Sequence, residues 1–183
     1  MICGGVDVGK RICKMAIIDR KLTYIGDYKK ELLKDVIAVG IDAPLTLPKK
    51  GAFRECEREL LKLGIRLFPS GAKFFKEIAL IGIRIAEELR SLGLKVYEVY
   101  PFASRVLLNI APKAKKRTEI GLKEIRLALS KYIEVPEISH DEVDAVISAL
   151  TVKEYLEGRG FSVVGEGEII LPRGILYERE RID

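Results

Sequence analysis

Four carboxylates stand where they would gather around a cation, each on a different stretch of the chain. Asp7 ends the apolar run Ile2-Cys3-Gly4-Gly5-Val6, and Asp42 ends Val36-Ile37-Ala38-Val39-Gly40-Ile41. Glu98 interrupts Lys95-Val96-Tyr97-Glu98-Val99-Tyr100, and Asp144 lies within His140-Asp141-Glu142-Val143-Asp144-Ala145. The first three runs have strand character and the fourth reads as a helix. Burying an acid on a strand is costly unless something neutralises its charge. One such acid is an accident; several at equivalent positions point to a shared cation. Carboxylate-rich oxygen donors suit the hard ions Mg²⁺ or Mn²⁺. Two such ions on the order of 4 Å apart activate a water and stabilise a leaving oxygen in phosphodiester hydrolysis.

Each acid also has an ordinary explanation. Asp42 before Ala43-Pro44 suits a turn. Asp7-Val8-Gly9 suits a hairpin turn with Gly9 at positive φ. Glu98 suits a strand-end carboxylate paired to a lysine or arginine. Ser139-x-x-Glu142 is a capping box, so Asp141 falls in a first helical turn, where the dipole favours any acid. Asp144 lies beyond that turn. Asp141, Asp144, Ala145, Ser148 and Val152 share one face at helical spacing, and its small residues allow close approach to a sheet. Val143, Val146, Ile147 and Leu150 line the opposite face and suit helix packing. Other chemistries lack their parts. There is no Walker-type loop, and Gly4-Gly5-Val6-Asp7-Val8-Gly9 lacks the helix that follows a dinucleotide fingerprint. His140 has no Ser or Cys at a catalytic spacing, which leaves it a supporting role beside Asp141.

Positive charge clusters at Lys113, Lys115, Lys116 and Arg117, with a second patch at Arg54, Arg58 and Lys62 in i, i+4, i+8 spacing. Beside an acidic metal site, such residues hold phosphates by releasing counterions. The expected partner is therefore nucleic acid, DNA or RNA. Aromatic residues (Phe53, Phe68, Phe74, Phe75) are thinly spread, so base stacking is not strongly indicated.

The elements that must position these groups follow from periodicity. Residues 2–8, 12–18 and 23–28 predict a three-stranded meander, and a short helix follows near 29–35. The continuous apolar run 36–42 predicts a strand buried on both faces, adjacent and parallel to the first. Helices are expected at 53–63 and 72–92, the latter ending at Gly93. A strand at 94–100 comes next, then a helix opened by Pro101 to about 110. Helices at 119–132 and 139–157 precede a terminal β pair at 161–164 and 168–171. The charged ending Glu178–Asp183 is expected to fray. The fold class is α/β: a mixed five-stranded sheet flanked by helices, in one domain over 1–183 with a helical insertion at about 45–93. Sites in such sheets form beyond the carboxyl ends of parallel strands, where Asp7 and Asp42 stand.

With 183 residues, 48% hydrophobic and 32% charged, the chain can bury a core. It has no Gln or Trp and a single Asn, with Lys, Glu, Arg and Ile abundant, a composition expected of a thermophile. The net charge is +5 and the pI near 9.0, compatible with a polyanionic partner. Cys3, Cys13 and Cys56 lack metal-binding spacing and are expected to be free thiols. The longest apolar helical stretch, 78–86, is too short to span a bilayer. No secretory signal pattern is present, and a cytoplasmic location with no membrane partner is expected.

Taken together, Gly5-Val6-Asp7-Val8-Gly9, Gly40-Ile41-Asp42-Ala43-Pro44, Glu98-Val99-Tyr100-Pro101 and Asp141-Glu142-Val143-Asp144-Ala145 resemble the domain of unknown function 429 family. The segment from Lys116-Arg117-Thr118 through Gly121 to Arg126 is similar to that family's middle region. The likeness spans about residues 4–156. It implies a nuclease of RNase H-like fold. More distantly, an aspartate on the first strand, an acid on a later strand and Asp-x-x-Asp on a late helix resemble the RuvC-like Holliday-junction resolvases. That resemblance implies metal ligation by Asp7, by Asp42 or Glu98, and by Asp141 and Asp144. Catalysis is then expected from Asp7, Asp42, Glu98 and Asp144 with Mg²⁺ or Mn²⁺. An actin-like phosphotransferase would share the Asp-x-Gly first hairpin, but the chain lacks a second phosphate loop. A catalytically idle binding module is favoured if the acids prove to be paired with lysines.

Overall fold

The structure, a computed structural model, describes residues 1–174; the ending expected to fray lies outside the described residues. Among the described residues, seven strands form one sheet: β1 (Cys3–Asp7), β2 (Lys14–Ile18), β3 (Leu22–Asp27), β4 (Ala38–Asp42), β5 (Lys95–Val99), β6 (Gly160–Val164) and β7 (Glu168–Pro172). Their spatial order is β3-β2-β1-β4-β5-β7-β6. The β1–β2–β3 meander is antiparallel, while β1, β4, β5 and β7 run parallel. The expected five strands are thus corrected to seven. The terminal β pair joins the main sheet, β7 lying against β5 through Glu98↔Ile169 and Val99↔Ile170. An isolated two-stranded hairpin is marginal in water. Extending the sheet lets Ile169, Ile170 and Leu171 become buried.

Five helices among these residues cover the sheet: α1 (Glu55–Lys62), α2 (Lys73–Ser91), α3 (Pro101–Leu107), α4 (Glu119–Leu129) and α5 (His140–Leu156). The helix expected at 29–35 is only a 3-10 turn, Lys30–Leu33. The stretch expected to be a helical insertion carries α1 and α2, between β4 and β5. Strand side chains alternate between faces, and two cores result. On one face, Val6, Val39 and Ile41 meet Ile85, Ala86 and Leu89 of α2. On the other, Val143, Ala145, Val146, Ile147, Ala149 and Leu150 of α5 join Ile125 and Leu129 of α4.

Helix α5 is the central element. A Cβ built on Gly5 would lie 2.1 Å from the Ala145 carbonyl oxygen, and one on Gly40 would lie 2.8 Å from that of Ser148. Gly5 and Gly40 are register partners on β1 and β4. Two side chains are therefore missing where the helix backbone rests on the strands. Ser139 caps α5 as expected, accepting from the Glu142 amide at 3.3 Å while Glu142 accepts from the Ser139 amide at 2.8 Å. All three cysteines are free. Among the described residues, no helix is long and apolar enough to cross a membrane.

Candidate metal centre

The glycine pair that seats α5 also aims the acids. Asp7 and Asp42 follow Gly5 and Gly40 by two residues, so all four share the sheet face covered by α5. The two aspartates are direct Cα partners in the parallel β1–β4 ladder. From above, α5 delivers Asp144, which is buried, whereas Asp7 and Asp42 are half-buried. One carboxylate oxygen from each of Asp7, Asp42 and Asp144 lies within 4.8 Å of the others. An oxygen-only, triply anionic donor set of this size matches a hard divalent cation. Asp7-Val8-Gly9 does not form the expected positive-φ turn. Gly9 is needed because a Cβ there would sit 2.2 Å from the Ile12 carbonyl oxygen.

Crowding of like charge shapes the electrostatics. Burial pushes the Asp7 carboxyl up to about 6, and the negative charge of Asp141 adds to the shift while Lys116 opposes it. Asp42 is raised well above the ordinary carboxylate range by burial and by the charge of Asp7. The two carboxyl groups stand side by side, and neighbouring acids this close disfavour ionising together. The cation nearest the group belongs to the protein itself. Lys116, on the loop before α4, forms an ion pair with Asp144.

The remaining candidate ligands are placed elsewhere. Asp141 is half-buried and pairs with His140 Nδ1 at 2.6 Å, close enough to act on Asp7 through space but outside the three-acid group. Glu98 is also outside it. Its register partner on β4 is Ile41 rather than Asp42, which turns its side chain to the opposite sheet face. There it meets Arg54, with Nη2 to Oε1 at 2.5 Å and Nη1 to Oε2 at 2.8 Å. Arg54 is 1% exposed and also binds Glu57 at 3.0 Å, so the expectation that it contacts nucleic acid is corrected. Arg58 and Lys62 are exposed on α1, as are Lys113, Lys115 and Arg117 on the basic loop.

Two features escaped the sequence. Arg54-x-x-Glu57 at the start of α1 is an i, i+3 ion pair, visible as a spacing but not as buried. Phe68, Phe74 and Phe75 gather into one cluster, with ring centroids 5.5–6.2 Å apart. Phe68 and Phe74 are 67% and 58% exposed. An open pocket is lined by Asp42 together with Pro44, Phe68, Phe75 and Tyr100.

Among solved structures, the chain is similar to RuvC from Thermus thermophilus, at 17% identity and a TM-score of 0.52, covering 86% of this chain and 97% of that one. It is likewise similar to T. thermophilus RuvC in complex with a Holliday junction substrate, at 16% identity and a TM-score of 0.51, covering 86% and 96%. The fold is RNase H-like. No protein-family model matches the chain, and no curated protein matches it. The resemblance to the domain of unknown function 429 family therefore rests on the short sequence motifs and the Lys116–Arg126 segment alone. In this RNase H-like sheet the three-acid group stands at the carboxyl ends of β1 and β4, where open α/β sheets place their sites.

Proposed function

We propose that the protein is a metal-dependent nuclease that hydrolyses phosphodiester bonds in DNA or RNA. The observation that carries this reading is the in-register pair Asp7 and Asp42 beneath Asp144, three acids within 4.8 Å on an RNase H-like sheet. Three anions held this close in a protein interior are costly without a cation. Asp7, Asp42 and Asp144 would hold Mg²⁺ or Mn²⁺. Bound there, the ion supplies an activated water and charge stabilisation for the leaving oxygen. The protein's own groups orient the substrate. Exposed Lys113, Lys115 and Arg117 neutralise phosphates flanking the scissile bond, and the Phe68–Phe74–Phe75 cluster offers faces on which unpaired bases stack. Glu98 and Asp141 act outside the ion's immediate shell, Asp141 by adding negative charge beside Asp7.

One similar structure holds a Holliday junction, so a four-way junction is the first substrate to test, beside single-stranded DNA, duplex DNA and RNA. Incubation of fluorescently labelled substrates with Mg²⁺ or Mn²⁺ should give products with wild type and none with Asp7→Asn or Asp144→Asn. Equal cleavage by wild type and both variants would defeat the assignment. A second reading, an idle nucleic-acid-binding module, is favoured by one observation: Lys116 already neutralises Asp144. It predicts that wild type binds the same substrates but leaves them intact with every divalent ion.

A further inference from the structure

The chain leaving Asp42 has no regular structure until α1 begins at Glu55, yet it is pinned at nearly every step. The Leu45 amide donates to Glu98 Oε2 at 2.8 Å. Thr46 Oγ1 donates to the Glu166 carbonyl at 2.5 Å and accepts from Arg54 Nη1 at 2.8 Å. The Lys49 amide donates to the Glu166 carboxylate at 2.8 Å. Gly71 N–H closes the far end on the Ala52 carbonyl at 2.9 Å. At the centre lies Arg54, 1% exposed, between Glu98 and Glu57, which are 6% and 1% exposed. Glu57 accepts in addition from the Ser70 amide at 3.2 Å.

We infer that Arg54 and Glu98 are positioning residues that fix the Asp42 carboxylate by clamping the segment Ala43–Thr46. The inference rests on the metal reading of Asp7, Asp42 and Asp144. Its physical basis is reach. Only Ala43 and Pro44 separate Asp42 from the amide held by Glu98, and Pro44 has a fixed φ. A shift at Leu45 is thus passed to the end of β4 with little to absorb it. A buried ion pair is a poor source of stability compared with packed apolar residues. Its two bidentate-capable carboxylates and planar guanidinium define geometry instead. Metal sites need that service, since partners that orient a ligand affect affinity nearly as strongly as the ligands do.

The test is Mn²⁺ affinity and stoichiometry at 25 °C, by calorimetric titration of the full chain with the metal alone. Arg54→Lys, Thr46→Val and Glu98→Gln should each weaken Mn²⁺ binding roughly tenfold or more without removing an ion from the count. The double variant Arg54→Lys/Glu98→Gln should be no worse than the more severe single, because both act through one clamp. Leu129→Ala, a core change remote from the clamp, should lower the melting temperature and leave the affinity unchanged. Thr46→Val carries the test if the Arg54 or Glu98 variants fail to fold, since the Thr46 hydroxyl serves the clamp through its bonds to Arg54 and Glu166. Wild-type affinity in Arg54→Lys and Thr46→Val, with an ion lost in Glu98→Gln, would make Glu98 a ligand and overturn the clamp. An equal loss of affinity in Leu129→Ala would overturn it as well, reducing the effect to general loosening. Unchanged Mn²⁺ binding in Asp7→Asn is the separate outcome that removes the metal reading and the clamp's purpose with it.

Discussion

Replacing Asp7 with asparagine should stabilise the metal-free protein, and the size of the effect follows from its surroundings. The Asp7 carboxyl is raised from 3.8 to about 6, chiefly by burial and then by Asp141. Two pKa steps at about 1.36 kcal/mol each set an upper bound near 3 kcal/mol for the preference of the folded state for neutral Asp7. Asp7 is half-buried, so solvent screening reduces this to roughly 1–3 kcal/mol. A carboxyl raised on folding binds its proton earlier in the folded chain than in the unfolded one. Between about pH 4 and 6 the folded state therefore holds the extra proton, and stability falls as pH rises through that window. The full penalty is present above about pH 6. Asparagine carries no charge, so the penalty disappears in the variant. For a chain of this size, 1 kcal/mol moves the melting temperature by about 2–4 °C. Thermal melts in chelator should thus show Asp7→Asn roughly 2–12 °C above wild type at pH 8, converging near pH 4. The variant should also lose all cleavage. Melting below wild type at pH 8, or a difference that does not change with pH, would refute the argument and make Asp7 a stabilising partner instead.

Other outcomes are expected from the same geometry. Mg²⁺ or Mn²⁺ should raise the wild-type melting temperature, because binding only to the folded state stabilises it by mass action; the increment should nearly vanish in Asp7→Asn and Asp144→Asn when melts are compared with and without the ion. Lys116→Met should bind Mn²⁺ more tightly in calorimetry, since Asp144 loses a competing cation, and should melt lower than wild type in chelator because the three acids are left without it. Neutralising Lys113, Lys115 and Arg117 together should weaken nucleic-acid binding without changing sequence preference. In fluorescence anisotropy with Ca²⁺ in place of Mg²⁺, its salt slope should flatten by about 0.7 to 0.9 for each phosphate no longer neutralised; an unchanged slope would leave Arg58 and Lys62 as the candidates.

Much of the frame was legible because local chemistry and tertiary role agree. The apolar run 36–42, closed by Asp42-Ala43-Pro44, has no stable place except a central strand, and β4 is that strand. Ser139 and Glu142 announce the start of α5, and their reciprocal hydrogen bonds form. The seven-stranded count was not legible, since β6 and β7 carry a hairpin pattern that does not name its neighbour. Pairing with β5 is a long-range choice decided by burial of Ile169 and Ile170. Nor was the fate of Lys116. A lysine in a basic loop looks solvated, and only the packing of that loop against α5 brings it to Asp144.

Glu98 shows where sequence reasoning stops. Asp42 ends β4 and Glu98 lies one residue before the end of β5, so the two look equivalent as residues. Their difference is parity, because side chains alternate and a shift of one residue in register reverses the face. Since β5 pairs Glu98 with Ile41, Glu98 shares the face of the α2 core and Asp42 shares that of α5. Register between distant strands is fixed by packing of both faces at once. One sequence clue did bear on it. Gly5 and Gly40 are placed where buried strands ordinarily carry branched side chains, and a missing Cβ marks the face where a helix backbone comes close. Counting two residues on from each glycine arrives at Asp7 and Asp42, whereas β5 carries no glycine to mark Glu98. The strand glycines thus separate the acids that face α5 from the one that does not.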